Sequence, residues 1–190
     1  DGQQEIVALF NTSYPLVKAY DHAGNVVLPA GKTAHGGLNI SVPRRVAVGP
    51  ILGDGTQQII CGTSRGIRIL RSDESQASAY LAHIGGSVVD LATGGPTHTF
   101  LAVADPLCGI RAGRLRPAKD GRKIDWQQLW YHSLAEKISI VACIPIATGT
   151  SLVAAGTKGG NLAFFDAETG RDLGQLAVGS APVVKLFAGP

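Results

Sequence analysis

The feature that most constrains this chain is that it repeats itself. One stretch runs Arg45-Val46-Ala47-Val48-Gly49, Gly53-Asp54-Gly55-Thr56, Ile59-Ile60-Cys61-Gly62-Thr63 and Gly66-Ile67-Arg68-Ile69-Leu70, then Ile84-Gly85-Gly86-Ser87-Val88-Val89. A second runs Ile140-Val141-Ala142, Gly149-Thr150, Leu152-Val153-Ala154-Ala155-Gly156-Thr157 and Gly160-Asn161-Leu162-Ala163-Phe164-Phe165, then Val178-Gly179-Ser180-Ala181-Pro182-Val183-Val184. The two align almost without gaps. Self-similarity at a period of roughly 45 residues means that one supersecondary unit recurs and buries its apolar surface by stacking on its neighbours.

Within a unit, four short β-rich runs alternate with Gly, Asp or Ser turns, the rhythm of a four-stranded meander. First strands are expected to begin near Arg45, Ser87, Ile138 and Pro182, at spacings of 42, 51 and 44 residues. A period of this size with four strands per unit belongs to propeller blades. Helix-pair solenoids have a similar period, but no stretch holds apolar residues at i, i+3, i+4 and i+7 over two turns. The expected fold is all-β: a β-propeller of about four four-stranded blades, forming one domain over residues 1–190. The blades are expected at approximately 182–190 plus 1–40, 45–84, 87–135 and 138–179.

The two ends share one repeat. The first unit has runs Glu5–Phe10, Leu16–Tyr20 and Val26–Leu28 without a preceding first strand, whereas Val183-Val184-Lys185-Leu186-Phe187 reads as a first strand without its blade. Phe187-Ala188-Gly189-Pro190 followed by Asp1-Gly2-Gln3-Gln4-Glu5-Ile6-Val7 reproduces the internal segment Ile51–Ile60. The C-terminal strand is therefore expected to close one blade with the N-terminal runs, removing open sheet edges. Part of a larger propeller, or half of a homodimeric ring, stays open as the alternative.

A family resemblance rests on turn chemistry. Gly156-Thr157-Lys158-Gly159-Gly160-Asn161 followed by Ala163-Phe164-Phe165-Asp166-Ala167-Glu168-Thr169-Gly170-Arg171 resembles a blade of the quinoprotein-like and WD-repeat-like propeller superfamily. Ala19-Tyr20-Asp21-His22-Ala23-Gly24-Asn25 and Ala118-Lys119-Asp120-Gly121-Arg122-Lys123 occupy the same turn. The Asp1-Gly2 and Gly53-Asp54-Gly55-Thr56 turns more weakly resemble FG-GAP-like loops, which bind calcium. Calcium takes six to eight oxygens, yet Asp54 is the one acidic residue in its loop, so turn chemistry is the preferred reading. The resemblance implies the fold and little about activity, and it implies no cofactor here.

Composition agrees with many short strands joined by tight turns: 45% hydrophobic and 16% charged residues, with 25 Gly and 10 Pro. No apolar run approaches a membrane span, and the N-terminus resembles neither a signal nor a transit peptide. The lack of any Met implies a processed or excised segment. Cys61, Cys108 and Cys143 show no C-x-x-C spacing. Cys61 and Cys143 lie in apolar runs and read as small core residues, and the compartment stays undetermined.

The strongest charge feature is a hairpin. Arg111, Arg114, Arg116, Lys119, Arg122 and Lys123 are offset within that stretch by Asp120, and Trp126 follows closely. Arg pairs bidentately with oxyanions and stacks on rings, so these residues form the candidate ligand-binding set for an acidic glycan or an acidic protein face. The plainer reading is a solvated outer hairpin in which alternation puts Leu115 on one face and Arg114 and Arg116 on the other. A net charge of +3 does not favour nucleic acid. The five histidines, His22, His35, His83, His98 and His132, lack metal-ligand spacing. Neither a Gly-x-Ser-x-Gly elbow nor a phosphate loop occurs, so no catalytic or metal-binding residue is assigned.

The functional expectation is a non-catalytic binding or scaffolding propeller presenting face loops, such as Asn11–Pro15 and Ala104–Leu107, to a protein or carbohydrate partner. The alternatives are a polysaccharide-binding or lyase-like propeller using the basic hairpin, and a fragment or half-ring of a larger propeller.

Overall fold

The computed structural model describes residues 6–10, 16–25, 43–53, 56–64, 66–71, 80–82, 87–94, 100–117, 124–146 and 151–186. Among them every regular element is a strand. Strands β3 (Pro43–Gly49), β4 (Gln58–Thr63), β5 (Gly66–Arg71) and β6 (Tyr80–Ala82) form one antiparallel meander. β7 (Asp90–Gly94), β8 (Phe100–Ala104), β9 (Gly109–Pro117) and β10 (Ile124–Ser133) form the second. β11 (Ile138–Pro145), β12 (Ser151–Thr157), β13 (Asn161–Asp166) and β14 (Asp172–Ala177) form the third. β1 (Ile6–Phe10) and β2 (Leu16–Tyr20) pair as a two-stranded sheet beside β3. The first strand of each meander lies against the first strand of the next, β3 on β7 and β7 on β11, so the sheets stand side by side as blades.

Strand composition explains this stacking. Side chains alternate between the faces of a strand, and in the middle blade both faces are apolar, so each supplies a separate core. Leu91, Leu101, Val103 and Leu115 meet Ile60, Ile67 and Ile69 of the preceding blade. Phe100, Ala102, Ala104, Ile110 and Ala112 meet Val153, Ala155, Ala163 and Phe165 of the following one. β8, sequence Phe-Leu-Ala-Val-Ala, is consequently buried at all five positions. Each large side chain buried this way contributes about 1.5–3 kcal/mol. Trp130 joins the second core and donates its indole N–H to the Ala167 carbonyl at 2.7 Å, which satisfies the one polar atom it carries inside.

The turns follow the sequence motifs. Asp21 Oδ1 accepts the N–H groups of Ala23 and Asn25 at 2.9 and 2.8 Å, with Gly24 at φ +83°. Asp166 Oδ1 accepts the N–H and hydroxyl of Thr169 at 2.8 and 2.7 Å, with Gly170 at φ +71°. A short carboxylate satisfying successive turn amides, followed by a glycine at positive φ, is what these stretches share. Both carboxyls are held below the usual range, Asp21 chiefly by the Asn25 side chain and Asp166 chiefly by the Thr169 N–H.

The repeat recurs in atomic detail. β3 and β11 each carry a register shift at their start, between Pro43 and Arg45 and between Ile138 and Ile140. Val88 donates its N–H to the Thr63 carbonyl at 2.8 Å, and Val183 donates to that of Thr157 at 3.1 Å. A Cβ on Gly62 would strike Val88, and one on Gly156 would strike Val183.

Cys61, Cys108 and Cys143 are free thiols. Cys61 is buried and Cys143 half-buried in apolar surroundings, and burial pushes both thiols up to about 12. Of the expected closing strand, Val183–Leu186 carry no strand structure. Phe187, the Asp1–Glu5 stretch, the third run Val26–Leu28 and the Asp54-Gly55 turn lie outside the described residues. β14 is exposed along its whole length. The β1–β2 sheet and the three blades follow one another in an arc, β1 beside β3, β3 beside β7 and β7 beside β11.

Candidate interaction face

One end of the arc carries the β8–β9 turn, the β10–β11 connection, the β12–β13 turn and the segment 178–183, joined by backbone hydrogen bonds. Leu134 N–H reaches the Cys108 carbonyl at 2.9 Å, Lys158 N–H that of Lys137 at 2.8 Å, and Val178 N–H that of Gly160 at 2.9 Å. Loops tied to one another and to buried strands form a fixed surface.

The β8–β9 turn is built on Asp105. Its Oδ1 accepts the N–H groups of Leu107 and Gly109 at 2.8 and 2.9 Å, and its Oδ2 pairs with the Arg111 guanidinium at 2.6 Å. Arg111 also lies over the Tyr131 ring, 5.2 Å from its centroid. Burial works to raise the Asp105 carboxyl, but Arg111 and the Gly109 and Leu107 amides outweigh it and hold the group low. Pro106 and Leu107 project from this frame, and the Leu107 side chain is 81% exposed. Cys108 completes the turn at φ +67°.

The β10–β11 connection is anchored by Glu136. Its two carboxylate oxygens accept the Thr157 hydroxyl and, at 3.0 Å, the Asn161 side-chain amide. These two side-chain bonds hold its carboxyl below the usual range. Glu136, Thr157, Asn161, Leu134 and Gln175 border a pocket of about 140 Å³. Both side-chain partners flank the β12–β13 turn, so the arrangement fixes the β10–β11 connection against it.

Among the described residues of the basic hairpin, Arg111 and Arg114 face different carboxylates. Arg111, turned toward the β8–β9 turn, is committed to Asp105. Arg114, on the opposite face of β9, pairs with Glu168 of the next blade. Arg116 is exposed, with Asp125 opposite it on β10. Trp126 packs partly buried against the first core and lies close over Gly113. Arg122, Lys123 and Lys119 lie outside the described residues, as does the Asn11–Pro15 loop. Leu115, 2% exposed, faces the core opposite to Arg114, as alternation requires.

His132 is structural: its ring stacks on Phe165 at 4.7 Å between centroids, and Nε2 donates to the Gly170 carbonyl at 2.6 Å. Among the described residues no group of three or more His, Cys, Asp or Glu side chains is placed to hold a metal ion, and no helix is long and apolar enough to cross a membrane. The Ala104–Leu107 loop was legible as a face loop. The Asp105–Arg111 pairing was not, although Asp105-Pro106 is a turn signal. Glu136 had no sequence signal, since its partners are 21 and 25 residues away.

No protein-family model matches this chain, and no curated protein matches it. Solved structures do. BBS1N, in a crystal structure of its complex with ARL6DN soaked with mercury, superposes with a TM-score of 0.67 at 14% identity, covering 98% of this chain and 57% of that one. Saccharomyces cerevisiae Sqt1 superposes with a TM-score of 0.70 at 13% identity, covering 96% and 47%. Both are β-propellers, and this chain has their fold. It spans about half the length of either.

Proposed function

We propose that this chain is a non-catalytic binding module whose β8–β9 and β10–β11 end receives a protein partner. The observation that carries this is Leu107: a large apolar side chain held out to solvent on a turn that Asp105 makes rigid. Interfaces place apolar anchors on preorganised loops because little ordering entropy is then lost on binding. Support also comes from a similar propeller, BBS1N, having been crystallised in complex with ARL6DN. A carbohydrate reading draws no comparable support, because Arg111 and Arg114 already face carboxylates.

The test is a photo-crosslinking side chain placed at Leu107, or at Ile146 on the far end of the strands, in extracts of the source cell. A protein captured at 107, absent at 146 and lost from Leu107→Glu protein in affinity capture is the expected result. Capture of the same proteins equally at both positions would overturn the proposal.

A further inference from the structure

The middle and third blades match position for position around one site. Residues 105, 109 and 111 of the middle blade correspond to 157, 161 and 163 of the third, because Val103 pairs with Arg111 as Ala155 pairs with Ala163. Asp105 caps its turn by accepting the Gly109 N–H at 2.9 Å, and Thr157 Oγ1 accepts the Asn161 N–H at 3.1 Å in the same way. On the following strand Tyr131 stands opposite Arg111, and Gln175 stands opposite Ala163.

In the middle blade a cation of the chain fills this site: the Arg111 guanidinium meets the Asp105 carboxylate at 2.6 Å and lies over the Tyr131 ring. The third blade keeps a carboxylate there and lacks the cation. Glu136 reaches in from the β10–β11 connection and accepts the Thr157 hydroxyl, the Asn161 side-chain amide and the Gly159 N–H. All three donors are neutral. Among the described residues no Lys, Arg or His side chain pairs with Glu136, its neighbours Lys137 and Lys158 included, whereas Asp90, Asp105 and Glu168 each face an arginine. A carboxylate offers about four lone-pair positions, so Glu136 has an acceptor position to spare.

Ala163 and Gln175, in the places of Arg111 and Tyr131, line the pocket of about 140 Å³ together with Glu136, Leu134 and Ala135. A cavity of about 150 Å³ admits benzene, so a flat guanidinium with the end of its stem fits. Leu134, Ala135 and Ala163 offer apolar wall to the methylenes, and Glu136 and the Gln175 amide offer acceptors to the head. Leu134 is bonded to the Cys108 carbonyl, which puts the pocket beside the β8–β9 turn. We propose that this pocket receives an arginine side chain of a protein partner, in the role that Arg111 fills within the middle blade. The inference rests on the reading of the turn end as a protein-binding face, which supplies a polypeptide as the guest.

Titration of the 190-residue chain with Nα-acetyl-arginine methylamide, followed by NMR of methyl and side-chain amide signals, tests this without the partner. The Leu134 and Ala163 methyls and the Gln175 amide should shift saturably. The citrulline derivative, of the same shape but uncharged, should bind about tenfold more weakly, as should the arginine derivative to Glu136→Gln protein. Gln175→Arg, at an exposed position of β14, supplies a rival guanidinium and should abolish binding, which keeps the test if Glu136→Gln does not fold. Absence of any saturable shift overturns the proposal, and so does equal affinity for the citrulline derivative or undiminished binding by both variants. A protein crosslinked at position 107 of a chain that ignores the arginine derivative would overturn this inference alone. Arginine binding with equal capture at positions 107 and 146 would overturn the reading of the turn end alone.

Discussion

Asp90 Oδ2 accepts the backbone N–H of Val141 at 2.8 Å, while its Oδ1 pairs with Arg45 Nε at 2.9 Å. One buried carboxylate thus joins the inner strands of three successive blades, β3, β7 and β11. Burial raises its pKa, opposed by the Val141 N–H and by Arg45. Removing it strands a buried amide, which costs about 1–3 kcal/mol. Asp90→Ala should therefore lower unfolding stability by about 2 kcal/mol in urea titration, whereas Arg45→Ala, at a half-exposed side chain, should cost less.

Acid should loosen the β8–β9 turn before the cores. The Asp105 pKa is depressed in the fold, so its contribution is present above the unfolded value of 3.8 and is lost as pH falls through the folded value. Amide exchange at Leu107 and Gly109, corrected for intrinsic rates, should accelerate over that interval. Asp105→Ala, which removes the acceptor of both amides, should show fast exchange already at neutral pH and no such transition.

Glycine at position 170 is required twice over. Its φ is +71°, and a Cβ there would lie 2.5 Å from Trp130 Cγ. Gly170→Ala must displace the indole that locks two blades together and should cost about 1–3 kcal/mol. Gly24→Ala, at similar φ but with open space around it, should cost about 1 kcal/mol. Paired thermal melts of the two variants separate packing from backbone strain.

Thiol chemistry should rank the three cysteines. Cys61 and Cys143, with thiols near 12, offer almost no thiolate at mildly alkaline pH. Iodoacetamide followed by peptide mass analysis should modify Cys108 in the native protein and the other two only after unfolding. Cys108→Gly, relieving φ +67°, should be neutral or stabilising by up to about 1 kcal/mol.

The blade rhythm was legible because its causes are local: Asp166, Thr169 and Gly170 are turn chemistry within five residues, and the runs at β4 and β12 are apolar strands. What the sequence could not show are pairings across blades. Arg114 with Glu168 and Trp130 with Ala167 join residues 54 and 37 positions apart. Arg111 and Arg114, neighbours in the basic stretch, consequently enter separate ion pairs, because they point to opposite faces of β9.

The central claim is that the middle blade is a sheet shared between two cores, each completed by a neighbouring blade. Amide hydrogen exchange read strand by strand tests this most directly, since protection follows burial and local contact density. Leu101, Ala102 and Val103 of β8 should exchange slowest in the chain, and β14 fastest among the strands of the three blades. Equal protection of β8 and β14, or faster exchange in β8, would contradict it.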